Sequence, residues 1–178
     1  MNIELLAKQG AKKVYTNLAG RTYDEILFKR KDLYNMFALP KDEKNKSELV
    51  ATIKGVNYVN DAFSTNNNIT WFTMEQIPNK IIWIVNDDFG TKDYTSLMSV
   101  CEEKVSVLIV FGENTTKLKS TFQDIIPTIL PVNDMNDAVL LASAVAEGND
   151  VVLYSPANGE SGDIEKRGLE FSSRVNNL

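Results

Sequence analysis

The stretch from Val56 to Asn66 holds the residues whose types and spacing best suit ligand binding. It opens with β-forming residues, reaches the carboxylate of Asp61 and then offers Ser64 or Thr65, either of which is a good helix N-cap. In α/β proteins a turn from strand to helix commonly holds anionic or hydroxyl-bearing ligands, because helix amides point at it. The stretch therefore predicts a binding edge without specifying the ligand.

Two further loops are expected at the same edge, namely Asn86–Asp93 and Ser155–Asp163. The first carries Asp87, Asp88 and Lys92, and the second mixes hydroxyl, amide and carboxylate side chains. Carboxylates from two loops could bind Mg²⁺, but acidic loops are more often simply solvated, so no metal site is assigned.

The composition removes most common enzyme mechanisms. The chain has no histidine and one cysteine, which excludes histidine bases, Ser-His-Asp and Cys-His nucleophiles, and zinc clusters. It also lacks both the G-x-x-x-x-G-K-[ST] and the G-x-G-x-x-G phosphate-binding motifs. No catalytic residue is therefore assigned, and the chain is not expected to bind a nucleoside triphosphate on its own.

The elements that must position these residues alternate along the chain. The predicted strands are Glu48–Lys54, Val56–Asn60, Lys80–Val85, Val105–Phe111, Pro127–Pro131 and Asp150–Tyr154. The predicted helices are Ser64–Gln76, Tyr94–Glu103, Thr115–Phe122, Asn133–Glu147 and Ile164–Asn177. This order predicts an α/β, Rossmann-like fold, with a mostly parallel sheet, an N-terminal antiparallel hairpin and helices on both faces.

Residues 1–47 are interpreted as a small helical extension to a domain spanning 48–178, with a polar linker at 41–47. An amphipathic helix is predicted over Thr22–Phe37, and its apolar face must pack on the main domain, on a second copy or on another protein. The net charge of −5 argues against nucleic acid. A lone Cys101, no membrane-length apolar run and no signal-peptide pattern indicate a cytoplasmic protein without a membrane partner.

Several separated motifs resemble the C-terminal domain of the Mur ligases, especially the type that adds D-glutamate. Gly55–Asn66 stands where that family has a Gly-Val strand start and Asn-Asp-Ser-Lys-Ala-Thr-Asn. Asp150–Ala157 and Arg167–Phe171 match its Asp-x-Val-Leu-Leu-Ser-Pro-Ala and Arg-Gly-x-x-Phe, and Phe111-Gly112 matches a third motif. The resemblance covers about residues 48–178, whereas 1–47 do not resemble the family's ATP-binding central domain.

The resemblance implies roles for individual residues. Those implied to bind nucleotide are Asp61 and Asn66, and those implied to bind substrate are Thr65, Lys92, Ser155 and Ser161. It also implies that ATP or ADP with Mg²⁺ belongs to a complete assembly. Two family lysines are replaced, by Phe63 in the first motif and by Gly90 in the second loop, with Lys92 as a partial substitute. Each lost charge-assisted hydrogen bond forfeits about 1.5–3 kcal/mol toward a substrate carboxylate.

These observations favour a catalytically degenerate Mur-ligase C-terminal domain that serves as a binding or regulatory module for peptidoglycan precursor synthesis. One alternative is that the chain forms part of an ATP-dependent amide ligase completed by a separate ATP-binding chain, docked through Thr22–Phe37, which is also the surface for self-association. The second alternative is a nucleotide or small-molecule sensor.

Overall fold

A computed structural model describes residues 47–86, 93–112, 115–157 and 164–178. Residues 1–46 of the predicted extension 1–47, and most of the loops Asn86–Asp93 and Ser155–Asp163, lie outside the described residues. The division into 1–47 and 48–178 therefore stays a prediction. Within the described ranges, no helix is long and apolar enough to cross a membrane.

The described chain forms one six-stranded sheet and five α-helices. The strands are β1 (Glu48–Ile53), β2 (Val56–Asn60), β3 (Ile81–Asn86), β4 (Val105–Phe111), β5 (Thr128–Pro131) and β6 (Val151–Tyr154). The helices are α1 (Asn67–Gln76), α2 (Met98–Lys104), α3 (Thr116–Phe122), α4 (Met135–Val145) and α5 (Ile164–Val175). The predicted order of elements is therefore confirmed.

The strand order across the sheet is β1-β2-β6-β3-β4-β5. Only β1 and β2 pair antiparallel, through a turn in which Lys54 and Gly55 both have positive φ, at 52° and 87°. The other neighbours are parallel. The predicted mostly parallel sheet with an antiparallel hairpin is confirmed, and β6 enters the middle of it between β2 and β3.

The two faces of the sheet carry separate helices, because right-handed crossovers place α1, α2 and α3 on one face and α4 on the other. Side chains of β3 alternate accordingly. Ile82 and Ile84 join the core beneath α4 and α5. Trp83 points to the opposite face, where its ring meets that of Phe122 from α3 edge-on at 5.6 Å. All six residues of β3 are buried, as its continuous apolar pattern predicts.

Helix ends differ from the predicted ends where side chains cap the backbone. The predicted helix Tyr94–Glu103 begins at Met98, after a 3₁₀ turn over Thr95–Leu97. The carboxylate of Asp93 accepts hydrogen bonds from the amide and hydroxyl of Thr95, at 2.9 and 2.7 Å, and so holds that turn. The fourth predicted helix begins at Met135 instead of Asn133, because the side chain of Asp134 caps it.

Candidate functional site

Asp61 follows β2 directly and lies against the end of β6. Its amide donates to the carbonyl of Tyr154 at 2.8 Å, which extends the β2–β6 pairing by one residue. The chain then turns, and the amide of Ser64 donates back to the Asp61 carbonyl at 2.9 Å. The side chain of Asp61 is only 1% exposed. The carboxylate is therefore buried within the domain.

The Asp61 carboxylate is enclosed by the chain's own donors. Its Oδ1 accepts from the amide and the hydroxyl of Ser47, at 3.1 and 3.2 Å. Its Oδ2 accepts from the hydroxyl of Ser155 at 3.1 Å and from that of Ser64. An ionised carboxylate has about four acceptor sites, and these four donors fill them. Asp61 therefore presents no carboxylate oxygen to a ligand in this conformation.

Two threonines of α1 complete this group of hydroxyls. The hydroxyl of Thr70 lies 2.8 Å from that of Ser155, and the hydroxyl of Thr73 lies 3.4 Å from that of Ser47. We call Asp61 with its five hydroxyl neighbours the hydroxyl cluster, and its neighbours are Ser47, Ser64, Thr70, Thr73 and Ser155. The cluster joins the start of the domain, the turn after β2, one face of α1 and the end of β6.

Burial dominates the electrostatics of the cluster. Desolvation raises the pKa of Asp61 from its ordinary 3.8 to about 6, because charging a buried carboxyl is unfavourable. Hydrogen bonds from Ser64, Thr73, Ser155 and the Ser47 amide lower the pKa and so oppose part of that rise. A carboxyl in this state can hold a proton in mildly acidic solution, but it has no route to a substrate while it is buried.

Ser155, predicted to bind substrate, lies inside the cluster and is fully buried. Its amide donates to the carbonyl of Ile84 at 3.2 Å, and its carbonyl accepts from the indole of Trp83 at 2.8 Å. Two residues later, Ala157 is buried and has a φ of +53°. These contacts fix the path of the chain as it leaves β6.

The N-terminus of α1 differs from its prediction. The helix begins at Asn67, and its N-cap is Asn66 instead of Ser64 or Thr65. The Asn66 side chain accepts from the amides of Asn68 and Ile69, at 3.0 and 3.1 Å. Ser64 lies two residues before this cap, and its hydroxyl donates to Asp61. The predicted nucleotide ligand Asn66 is thus an exposed helix cap, and Thr65 is half-buried beside it.

Among the other predicted site residues, Lys92 and Ser161 lie outside the described residues, as does Gly90. Phe63, at the position of a family lysine, is half-buried. The structure brings Asp61 and Ser155 together, and the nucleotide and substrate roles themselves stay predictions. In the described ranges, no group of three acidic or cysteine side chains could hold a metal ion.

Sequence reasoning missed Ser47, Thr70 and Thr73. Thr70 and Thr73 are both buried and lie three residues apart on the packed face of α1, beside Trp71 and Met74. Buried polar side chains need hydrogen-bond partners, so two threonines on the apolar face of this helix could have indicated a buried polar cluster beneath it. Ser47 carried no local signal, because its partner lies 14 residues further along the chain.

The chain is similar to curated D-glutamate-adding ligases. It is 35% identical over 141 residues to the UDP-N-acetylmuramoylalanine–D-glutamate ligase of Porphyromonas gingivalis, a match that covers 78% of this chain and 31% of that enzyme. It is 30% identical to the enzyme of the same name from Bacteroides fragilis, over all of this chain and 41% of that enzyme. No protein-family model matches the chain. The motifs placed the resemblance at about residues 48–178, and the match to the Bacteroides fragilis enzyme also includes residues 1–47.

Solved structures show the same fold at low sequence identity. The bifunctional folylpolyglutamate synthase/dihydrofolate synthase of Yersinia pestis, solved with AMPPNP and Mn, superposes with a TM-score of 0.54 at 13% identity, over 77% of this chain and 32% of that one. The UDP-N-acetylmuramate–alanine ligase of Thermotoga maritima gives 0.50 at 12% identity, over 82% and 36%.

The chain spans about a third to two fifths of the length of the curated ligases named above. The chain carries a Mur-ligase C-terminal domain of the type that is found in D-glutamate-adding ligases.

Proposed function

We propose that this chain serves peptidoglycan precursor synthesis as a binding or regulatory module of the Mur-ligase type and does not itself catalyse ligation. One observation carries the proposal. Asp61, at the position that the resemblance assigns to nucleotide binding, is 1% exposed, and its four acceptor sites are filled by Ser47, Ser64 and Ser155. A carboxylate used in this way bonds to the domain's own hydroxyl and amide groups and does not contact a nucleotide.

The replaced lysines support the same reading. The half-buried aromatic ring of Phe63 and the glycine at position 90 offer no positive charge to a substrate carboxylate. Losing two such donors, at about 1.5–3 kcal/mol each, weakens binding of an anionic amino acid by at least about a hundredfold. The proposed compartment is the reducing cytoplasm, which suits a chain with one cysteine.

An activity assay tests this proposal. The purified chain is incubated with ATP, Mg²⁺, UDP-N-acetylmuramoyl-L-alanine and D-glutamate, and both phosphate release and product mass are measured. We expect neither above the enzyme-free blank, while the Bacteroides fragilis ligase supplies the positive control. Product formed by the purified chain overturns the proposal, and calorimetric binding of ATP or ADP to the chain favours the nucleotide-sensor alternative.

A second candidate is that the chain supplies one part of an amide ligase whose ATP-binding part is a separate polypeptide. The observation that favours it is similarity to an active-enzyme relative along the whole chain, 41% of that relative's length. ATP would phosphorylate a substrate carboxylate and release ADP, and an amine would then attack the acyl phosphate and release phosphate. The predicted helix Thr22–Phe37 would dock the partner or a second copy.

Affinity purification from native lysate separates the two candidates. A tagged full chain and a tagged chain lacking residues 1–47 are compared, and co-purified proteins are assayed for ATP-dependent ligation with the substrates above. Activity that appears only with the full chain supports the two-part ligase. If neither form recovers an ATP-binding partner, the two-part ligase is wrong.

A further inference from the structure

Ser47, immediately before β1, has an unusual backbone that only its contacts explain. Its φ of 45° lies in the left-handed region, which costs a non-glycine residue free energy. Ser47 as a whole is exposed to solvent, yet its amide and its hydroxyl both donate to Oδ1 of the buried Asp61, at 3.1 and 3.2 Å. Hydrogen bonds to an ionised acceptor are the strong kind, so they can hold this backbone.

The acceptor end of this contact is firmly fixed. The Asp61 amide is bonded to β6 through Tyr154, and its Oδ2 is bonded to Ser64 and Ser155. Ser155 is held in turn by β3, through the carbonyl of Ile84. Ser47 therefore attaches to a point tied to several strands of the sheet, although β1 itself is an edge strand whose neighbour in the described sheet is β2 alone.

We propose that the contact between Ser47 and Asp61 is a latch. When it is closed, it fixes the backbone where the chain enters the domain and fills the Oδ1 side of the carboxylate. When it is open, Ser47 leaves its left-handed conformation, the start of β1 frays, and Oδ1 becomes free for water or another donor. Only Ser47 must move, since Ser64 and Ser155 hold Oδ2 in both states.

Limited proteolysis of the full chain with trypsin reports latch opening, because cleavage of the bond between Lys46 and Ser47 requires an extended, released backbone. Ser47→Ala removes the hydroxyl bond to a charged acceptor. We expect it to raise the initial rate of cleavage at this bond by about tenfold or more. Hydrogen exchange of the residue-47 amide should accelerate by a similar factor.

Thr52→Ala is the matched control. It removes another hydroxyl bond of β1, from Thr52 to Asn57 at 2.7 Å, which lies on the surface away from Asp61. Cleavage after Lys104, whose ammonium is bonded to three carbonyls, reports global unfolding in every variant. Equal rates after Lys46 in wild type and Ser47→Ala overturn the latch, as does an equal acceleration in Thr52→Ala or an equal acceleration after Lys104.

Discussion

Replacing Asp61 with asparagine should change how the stability of the domain depends on pH. Asparagine has nearly the same shape, and its amide oxygen can still accept from Ser47. Its NH₂ group would face the hydroxyls of Ser64 and Ser155, which can accept as well as donate. The variant therefore keeps the hydroxyl cluster but removes the one group in it that titrates near neutral pH.

The magnitude follows from the pKa of Asp61, which burial raises from 3.8 to about 6. The folded state keeps the Asp61 proton to higher pH than the unfolded state does. The stabilisation of the folded state by this proton is therefore fully present below the unfolded pKa, and it is lost as the pH rises through about 6. The full difference corresponds to about 3 kcal/mol. Between about pH 7 and about pH 4.5, the wild type should gain about 2 kcal/mol relative to Asp61→Asn.

Urea unfolding measures this difference through the fluorescence of Trp71 and Trp83, both of which are buried. The free energies of unfolding of the wild type and Asp61→Asn are subtracted at each pH, so that groups common to both cancel. Exposed Asp124→Asn controls for the loss of one negative charge. A difference between wild type and Asp61→Asn that stays constant across this range, or that shrinks on acidification, refutes the reasoning.

Three further predictions concern single side chains. Lys104→Met should lower the free energy of unfolding by about 2–3 kcal/mol, because the Lys104 ammonium donates to the carbonyls of Met74, Glu75 and Ile77 at 2.8–3.1 Å. The control Lys80→Met loses one exposed carbonyl contact and should lower it by less than about 0.5 kcal/mol in the same urea titration. Cys101 should not react with a thiol reagent until urea unfolds the domain, because burial raises the pKa of its thiol, and rapid labelling of the folded chain would contradict this. Asn60→Ala should destabilise the domain by about 2–4 kcal/mol, because it leaves the buried carbonyl of Gly168 without the Asn60 donor. The amides of α5 should then exchange faster with solvent, and unchanged exchange would show that Asn60 does not hold α5.

Strands were predicted well where burial on both faces makes a sequence continuously apolar. Val105–Phe111 matches its predicted range, and each of its residues is buried or half-buried. Helix ends were predicted less well because capping is a competition among nearby polar side chains. At α1 the sequence offers three neighbouring cap candidates, Ser64, Thr65 and Asn66, and the side chain of Asn66 became the cap while the Ser64 hydroxyl donates to Asp61.

The candidate site shows a similar limit. Asp61 and Ser155 were singled out as separate ligand contacts on the basis of a resemblance, but the sequence could not show that one bonds to the other. They are 94 residues apart, and only the insertion of β6 beside β2 brings them together. Nor could spacing reveal that Ser47, Thr70 and Thr73 would enclose the carboxylate, because burial depends on which helix face meets which strand end.

The position of β6 also sets the order in which a ribosome can complete this domain. Val151–Tyr154 is the last strand of the described chain to be synthesised, yet in the described sheet it is the one strand that lies between the β1–β2 hairpin and β3. Until it emerges, the hairpin has no place to attach, and the apolar edge of β3 stays unpaired. The hairpin and the β3–β4–β5 strands therefore stay unpaired with each other until β6 emerges, and chains that terminate before Val151 should aggregate.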